Sequence, residues 1–234
     1  MENYFVERKH DSDALIIAFS GNANELMGDS FEFFAITNTL NCSRILLKDP
    51  SKRIYLEGIR GEFNSLEKLV RKLKLDIEEM NPKTVTLIGT SGGGFAAILY
   101  GHLLKADFVH AFGPTTRIHP LKMLKNHPLE KIKKNYKIII LGYMIYLIYY
   151  LRPKVSKFFD LKKVLLRYNG VTQYFIYVCE GHAKDVEDAN HLKNCKNLQI
   201  LKQPCNVHNV VRCMIKNQTL FKIFNTGTTD AVTS

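Results

Sequence analysis

No apolar run in this 234-residue chain reaches the roughly 18 residues of a spanning helix. The first ten residues, MENYFVERKH, carry two glutamates and no apolar core, so a secretory signal is not expected either. Cysteine is scarce. Cys42, Cys179, Cys195, Cys205 and Cys213 are odd in number and form no C-x-x-C pair, which points to reduced thiols in a cytoplasmic protein. The glycine-rich stretch near residue 90 has no Lys-Ser/Thr, as a P-loop needs, and no G-x-G-x-x-G spacing. His102, His110, His119 and His127 stand at no ligand spacing to one another or to a cysteine, so no metal site is expected. There is no internal repeat and no nucleic-acid-binding motif.

What is present describes one globular unit. The chain is 46% apolar and 24% charged, which excludes wholesale disorder and collagen-like structure. A chain this long buries enough surface to need no disulfide or metal staple. Its net charge of +11 is concentrated. Between Arg117 and Tyr168 thirteen basic residues face only Glu130 and Asp160, which accounts for the whole excess. A neutral body with one basic segment suits a local anionic partner, or else a solvated lysine-rich surface. Within that segment, Ile138–Leu151 is a 14-residue apolar run with Tyr143, Tyr146 and Tyr150 at helical spacing. As a helix it would measure about 21 Å, too short to span a bilayer. It suits a buried helix, a lid over a pocket, or a peripheral contact at the inner face of the membrane. Lys131, Lys133, Lys134, Tyr143 and Tyr146 are the candidate substrate contacts it offers.

Along the rest of the chain short apolar runs alternate with helical periodicity. Strands are expected at 14–19, 44–47, 84–88, 107–112, 174–179 and 198–201. Helices are expected at 24–38, from a capping box at Asn64-Ser-Leu-Glu67 to Met80, at 92–104, at 186–194 and at 209–224. The alternation predicts an α/β fold, a mostly parallel sheet with helices on both faces. The predicted core is 1–116 and 169–225, with 117–168 as a basic, Tyr-rich helical cap insertion and 226–234 as a flexible tail.

One stretch carries chemistry. Val85-Thr-Leu-Ile-Gly89-Thr-Ser91-Gly-Gly93 runs from strand to helix through G-x-S-x-G. A serine on such an elbow is held in a strained backbone, and strand and helix approach so closely that the residues two before and two after must be small. The helix N-terminus then favours an oxyanion at the serine. Ser91 could instead be a simple helix cap. The hydrolase reading also requires an acid and then a histidine after later strands. Asp185 follows the strand at 174–179, with Asp188 one turn on as its rival, and His208 follows the strand at 198–201. The N–H of Gly92 is the first oxyanion donor, and that of Gly21 or Asn22 the second. His182 and His191 precede the last strand and read as surface residues. Cys205 and His208 at i, i+3 could suggest a thiol nucleophile, but no elbow surrounds that cysteine.

These residues resemble the α/β-hydrolase superfamily, and more narrowly the small bacterial α/β-hydrolase-like proteins of cell-surface polysaccharide biosynthesis. The resemblance lies in Phe19-Ser-Gly21, Leu47-Lys-Asp49, Tyr55–Gly61, Gly89–Gly94, Ala106–Pro114 and Asp185–Leu192, and it spans 13–116 and 172–222. It implies a Ser91–Asp185–His208 triad and no bound cofactor. It also implies one of two activities. One is O-acetyl transfer from acetyl-CoA to an anionic cell-surface polysaccharide, and the other is ester hydrolysis. A non-catalytic protein that binds a membrane or a polymer-synthesis complex through 117–168 is the reading of another class.

Overall fold

Six apolar runs, each closed by turn residues, become parallel strands, and a strand hidden in the charged N-terminus joins them. The computed structural model describes residues 3–21, 31–118, 144, 151–167 and 170–225. The strands are β1 (Tyr4–Glu7), β2 (Ala14–Phe19), β3 (Ser43–Leu47), β4 (Thr84–Thr90), β5 (Phe108–Phe112), β6 (Gln173–Cys179) and β7 (Leu198–Gln203). Their order is β1-β3-β2-β4-β5-β6-β7, and only β1 is antiparallel to its neighbour. The helices are α1 (Phe34–Asn38), α2 (Leu66–Met80), α3 (Ser91–Leu104), α4 (Pro153–Ser156), α5 (Leu161–Leu166), α6 (Ala183–His191), α7 (Val210–Lys216) and α8 (Thr219–Asn225).

The strand period of two divides the core. Leu15, Ile17 and Phe19 pack with α2, α3, α5 and α6, whereas Ile16 and Ala18 pack with α7 and α8. α3 lies deepest, with Gly92 through Gly101 all buried. Phe159, Leu161, Val164 and Leu165 are buried in the same cluster as α3.

β1 was concealed by its charges. It is anchored by Tyr4, whose ring lies 5.1 Å from Phe63 and whose hydroxyl donates to the buried Asp76 of α2. Glu7 pairs across the strands with Arg44, itself 2% exposed, at 2.6 Å. Other boundaries also move. The cap of α2 is Ser65, one residue later than the expected box, and its side chain accepts from the Lys68 N–H. Of the expected helix at 24–38, residues 34–38 form α1 and 31–33 are loop and turn, while 22–30 lie outside the described residues. The expected final helix is two, broken at Gln218, whose φ is 58°. α6 starts at Ala183, so Asp185 stands in a first helical turn rather than a loop.

Most of the basic cap, with Lys131, Lys133, Lys134, Tyr143 and Tyr146, lies outside the described residues, as do Asn22 and 226–234. Among the described residues no helix is long and apolar enough to cross a membrane.

Strand register prepares the site. Phe19 pairs with Gly89, Thr90 with Phe112, Phe112 with Tyr177, and Cys179 with Gln203. The loops after β2, β4, β5, β6 and β7 therefore share the carboxyl edge of the sheet, where α/β proteins hold ligands.

Candidate active site

At that edge β4 passes directly into α3, and Ser91 is the turning residue with φ 48°. A non-glycine residue at positive φ stores about 1 kcal/mol or more. Gly89 and Gly93 permit the elbow. A Cβ on Gly89 would lie 2.2 Å from the Gly93 carbonyl oxygen, and one on Gly93 would lie 2.2 Å from that of Phe19. Ser91 begins the helix, so the N–H of Gly92 belongs to the first turn, whose donors have no partner within the helix.

His208 joins the two other groups. Its Nδ1–H donates to Asp185, 2.8 Å from Oδ2 and 3.0 Å from Oδ1. That tautomer leaves Nε2 as acceptor, 3.2 Å from the Ser91 hydroxyl. Asp185 is 2% exposed, whereas the His208 side chain is 50% exposed. Asp188 is also buried, but it is not the histidine's partner: Thr116 Oγ1 lies 2.8 Å from its carbonyl oxygen and 3.3 Å from its carboxylate. A hydroxyl, an imidazole and a buried carboxylate in this order can activate the oxygen as a nucleophile and return its proton to a leaving group.

The Asp185 hydrogen bond pushes the His208 imidazole above its ordinary 6.5, against the opposite pull of burial. The folded pKa is the higher one, so the pair's stabilisation is complete below about pH 6.5 and is lost as pH rises through the raised value. In urea melts, the stability advantage of wild type over Asp185→Asn is expected to shrink as pH climbs above about 6.5. An advantage that grew with pH would contradict the assignment.

Several expectations require correction. The Gly21 N–H does not face the site as a free donor, because it donates to Glu32 Oε2 at 2.7 Å. The Thr90 hydroxyl donates to the same oxygen at 2.6 Å, and the Glu32 N–H to Ser20 Oγ at 3.2 Å. Glu32 thus ties the loop after β2 to the elbow, and nothing in the sequence marks it out. His182 is not a detached surface residue. Its Nδ1 lies 3.0 Å from Asp185 Oδ2, out of line for a hydrogen bond, and its ring lies 5.3 Å from that of His208. His191 is paired too, with Nε2 2.8 Å from Asp160 Oδ1. The cysteines are not all reduced thiols: Cys179 and Cys205 form a disulfide, while Cys42, Cys195 and Cys213 are free. The two half-cystines sit at the carboxyl ends of neighbouring strands, a signal visible once those strands are paired. With its sulfur so bonded, Cys205 is no nucleophile.

His182, Asp185 and His208 offer donor atoms within 4.8 Å of one another. A zinc ion about 2.0–2.1 Å from each donor would need every pair within roughly 4 Å, so the trio would have to close in to take one. Elsewhere, a cavity of about 710 Å³ is lined by Arg53, Arg60, Arg152 and Lys154 together with Glu57 and Glu67, and none of Ser91, Asp185 and His208 lines it.

No protein-family model and no curated relative matches the chain. Solved structures do. The capsule O-acetyltransferase of Neisseria meningitidis serogroup A superposes with a TM-score of 0.62 at 13% identity, covering 94% of this chain and 90% of that one. A histidine-to-alanine variant of that protein is known in complex with CoA. An alpha/beta hydrolase enzyme from the metagenome of sediments of the Mar Chica lagoon, Morocco, gives 0.57 at 16% identity, covering 95% and 94%. A chain of the Glycosylation Associate Protein (Gap123) complex from Streptococcus agalactiae gives 0.61 at 14% identity, covering 98% of this chain and 47% of that one. At these identities the likeness establishes the α/β-hydrolase fold.

Proposed function

We propose that the protein is a serine-dependent acyl-transfer enzyme that passes an acetyl group from acetyl-CoA to a hydroxyl of an anionic cell-surface polysaccharide. The carrying observation is the hydrogen-bonded chain from Ser91 through His208 to Asp185, at 3.2 and 2.8 Å. In this reading Ser91 Oγ attacks the thioester carbonyl while His208 Nε2 takes its proton. The tetrahedral oxyanion is held by the Gly92 N–H at the start of α3. Collapse expels CoA as its thiol with the proton from His208, leaving acetyl-Ser91. The acceptor hydroxyl then gives its proton to His208, attacks the acyl carbon and departs as the ester, and the proton returns to Ser91 Oγ. Asp185 holds the productive tautomer and stabilises the imidazolium.

The basic segment supports an anionic acceptor, since Arg152, Lys154, Lys157, Lys163 and Arg167 are exposed on it. Contact of the 138–151 run with an inner membrane face belongs to the same reading, as does a cytoplasmic setting. The fold shared with a capsule O-acetyltransferase, and the complex of that protein with CoA, support the donor class. Ester hydrolysis is the second reading. It is favoured by the half-exposed His208, which water can reach as readily as a sugar hydroxyl.

Incubation with acetyl-CoA alone, followed by intact mass, separates the two. An acetyl adduct on Ser91 that persists until an anionic glycan is added supports the transferase. An activated acetyl ester turned over rapidly with water, with acetyl-CoA untouched, supports the hydrolase. Failure of both donors and of a fluorophosphonate to modify the folded protein would leave the non-catalytic, complex-binding reading.

A further inference from the structure

His208 lies in a stretch that little else holds. Residues 204–209 connect β7 to α7 without helix or strand, and Asn206, Val207, His208 and Asn209 are all exposed. Apolar burial therefore cannot fix the backbone from which the imidazole reaches Asp185 and Ser91. At the far end the anchor is α7, where Asn209 Oδ1 accepts from the Arg212 N–H at 3.0 Å and the His208 carbonyl accepts from the Val210 N–H at 3.0 Å. At the near end the anchor is Cys205, bonded through sulfur to Cys179. Cys179 is the last residue of β6, wholly buried, and stands six residues before Asp185; Cys205 stands three before His208. The link is reinforced by the Gly181 N–H donating to the Cys205 carbonyl at 2.9 Å.

We propose that the Cys179–Cys205 disulfide is a positioning element that clamps the His208 stretch to the strand leading to Asp185, and that its reduction by a dithiol reversibly detunes the site. The inference rests on the reading of His208 as the base for Ser91. A thiolate of the dithiol attacks Cys205 Sγ, the more exposed sulfur, and expels the Cys179 thiolate. The reductant's second thiol then displaces Cys205 from the mixed disulfide. Two electrons and two protons pass to the cysteines, and the dithiol leaves as its cyclic disulfide. Exchange with Cys42 and Cys195 is disfavoured, because burial raises their pKa values and so suppresses their thiolates. In a reducing compartment such a pair, with one sulfur accessible, is a sensor; in an oxidising one it is a permanent brace.

The test begins by counting thiols in the denatured protein: three before reduction and five after dithiothreitol, given five cysteines and one disulfide. In each state the His208 ring proton is titrated by NMR. The groups around it (Asp185, Asp188, Lys184 and His182) are the same in both states, so a change reports their distance from the ring. On reduction its pKa is expected to fall toward 6.5, and the fluorophosphonate labelling rate of Ser91 to drop about 10- to 100-fold. Both should recover on reoxidation. The Cys179→Ser/Cys205→Ser double variant should behave as the reduced protein and ignore dithiothreitol. An unchanged His208 titration after complete reduction, with the fold retained by circular dichroism, overturns the proposal. Ser91 unlabelled in both states with a shifting titration overturns the acyl-transfer reading and leaves the clamp standing.

Discussion

Ser91→Ala is expected to abolish covalent labelling by a fluorophosphonate and to lower turnover of an activated acetyl ester ten-thousand-fold or more, on the order of the loss when the nucleophile of an intact triad is removed. The protein should remain folded, because Ser91 is only partly buried and its hydroxyl bonds to His208 rather than packing in the core. Asp185→Asn is the sharper variant. An amide in place of the carboxylate can donate to Nδ1, which favours the tautomer with its proton on Nε2, and a nitrogen carrying that proton cannot accept one from Ser91. A loss of about ten-thousand-fold in kcat follows from that mechanism, with little change in KM. Because the carboxylate is what holds the His208 pKa up, the acid limb of the residual rate should also move downward. Asp188→Asn serves as the comparison, since Thr116 takes that carboxylate and His208 does not bond to it. Full labelling of Ser91→Ala, or equal losses in the two aspartate variants, would end the assignment.

What the sequence reveals and what it hides follow from range. Ser91 was legible because an elbow is a local device: its strand, its two small neighbours and its helix lie within 21 consecutive residues. His208 and Asp185 were legible through order, since parallel strands joined by crossovers put successive loops at one edge. Geometry then separates Asp185 from Asp188, a choice of helical phase that a three-residue spacing cannot make. β1 was hidden because its strand character lies in its partners: Tyr4 and Glu7 gain their places from Asp76 and Arg44, far along the chain. Glu32 was hidden for the same reason, as its contacts with Gly21 and Thr90 join three separate segments. His182 was misread because it lies upstream of the last strand, yet as the cap residue of α6 it is carried back to Asp185. The cysteines were misjudged by parity, which is silent about which two strand ends become neighbours.

The remaining large effect concerns the elbow's packing rather than its chemistry. In Gly93→Ala the new methyl would sit 2.2 Å from the Phe19 carbonyl oxygen and 2.9 Å from the Ser20 carbonyl carbon. These are backbone atoms of β2 and its loop, so no rotamer change relieves the overlap. β2 cannot withdraw freely either, since Phe19 is paired with Gly89 on one side and Leu47 on the other. We expect a loss of about 3 kcal/mol or more, at the upper end for overpacking. Urea denaturation checks this. Gly94→Ala, the next residue, supplies the control. Its methyl would meet Pro114 Cβ at 3.0 Å and the Gly89 carbonyl oxygen at 3.2 Å, a contact that shifts of a few tenths of an ångström relieve. Alanine also gains about 1 kcal/mol over glycine inside a helix, so the net change at Gly94 should lie within about 1 kcal/mol of zero. The contrast has a functional edge. Whatever Gly93→Ala displaces is the Ser20-Gly21 loop, tied through Glu32 to Thr90 beside Ser91, so any folded fraction should label slowly as well as melt early. If Gly93→Ala matched Gly94→Ala in stability and kept the wild-type labelling rate, the close approach of β2 to α3 would not be what shapes the elbow.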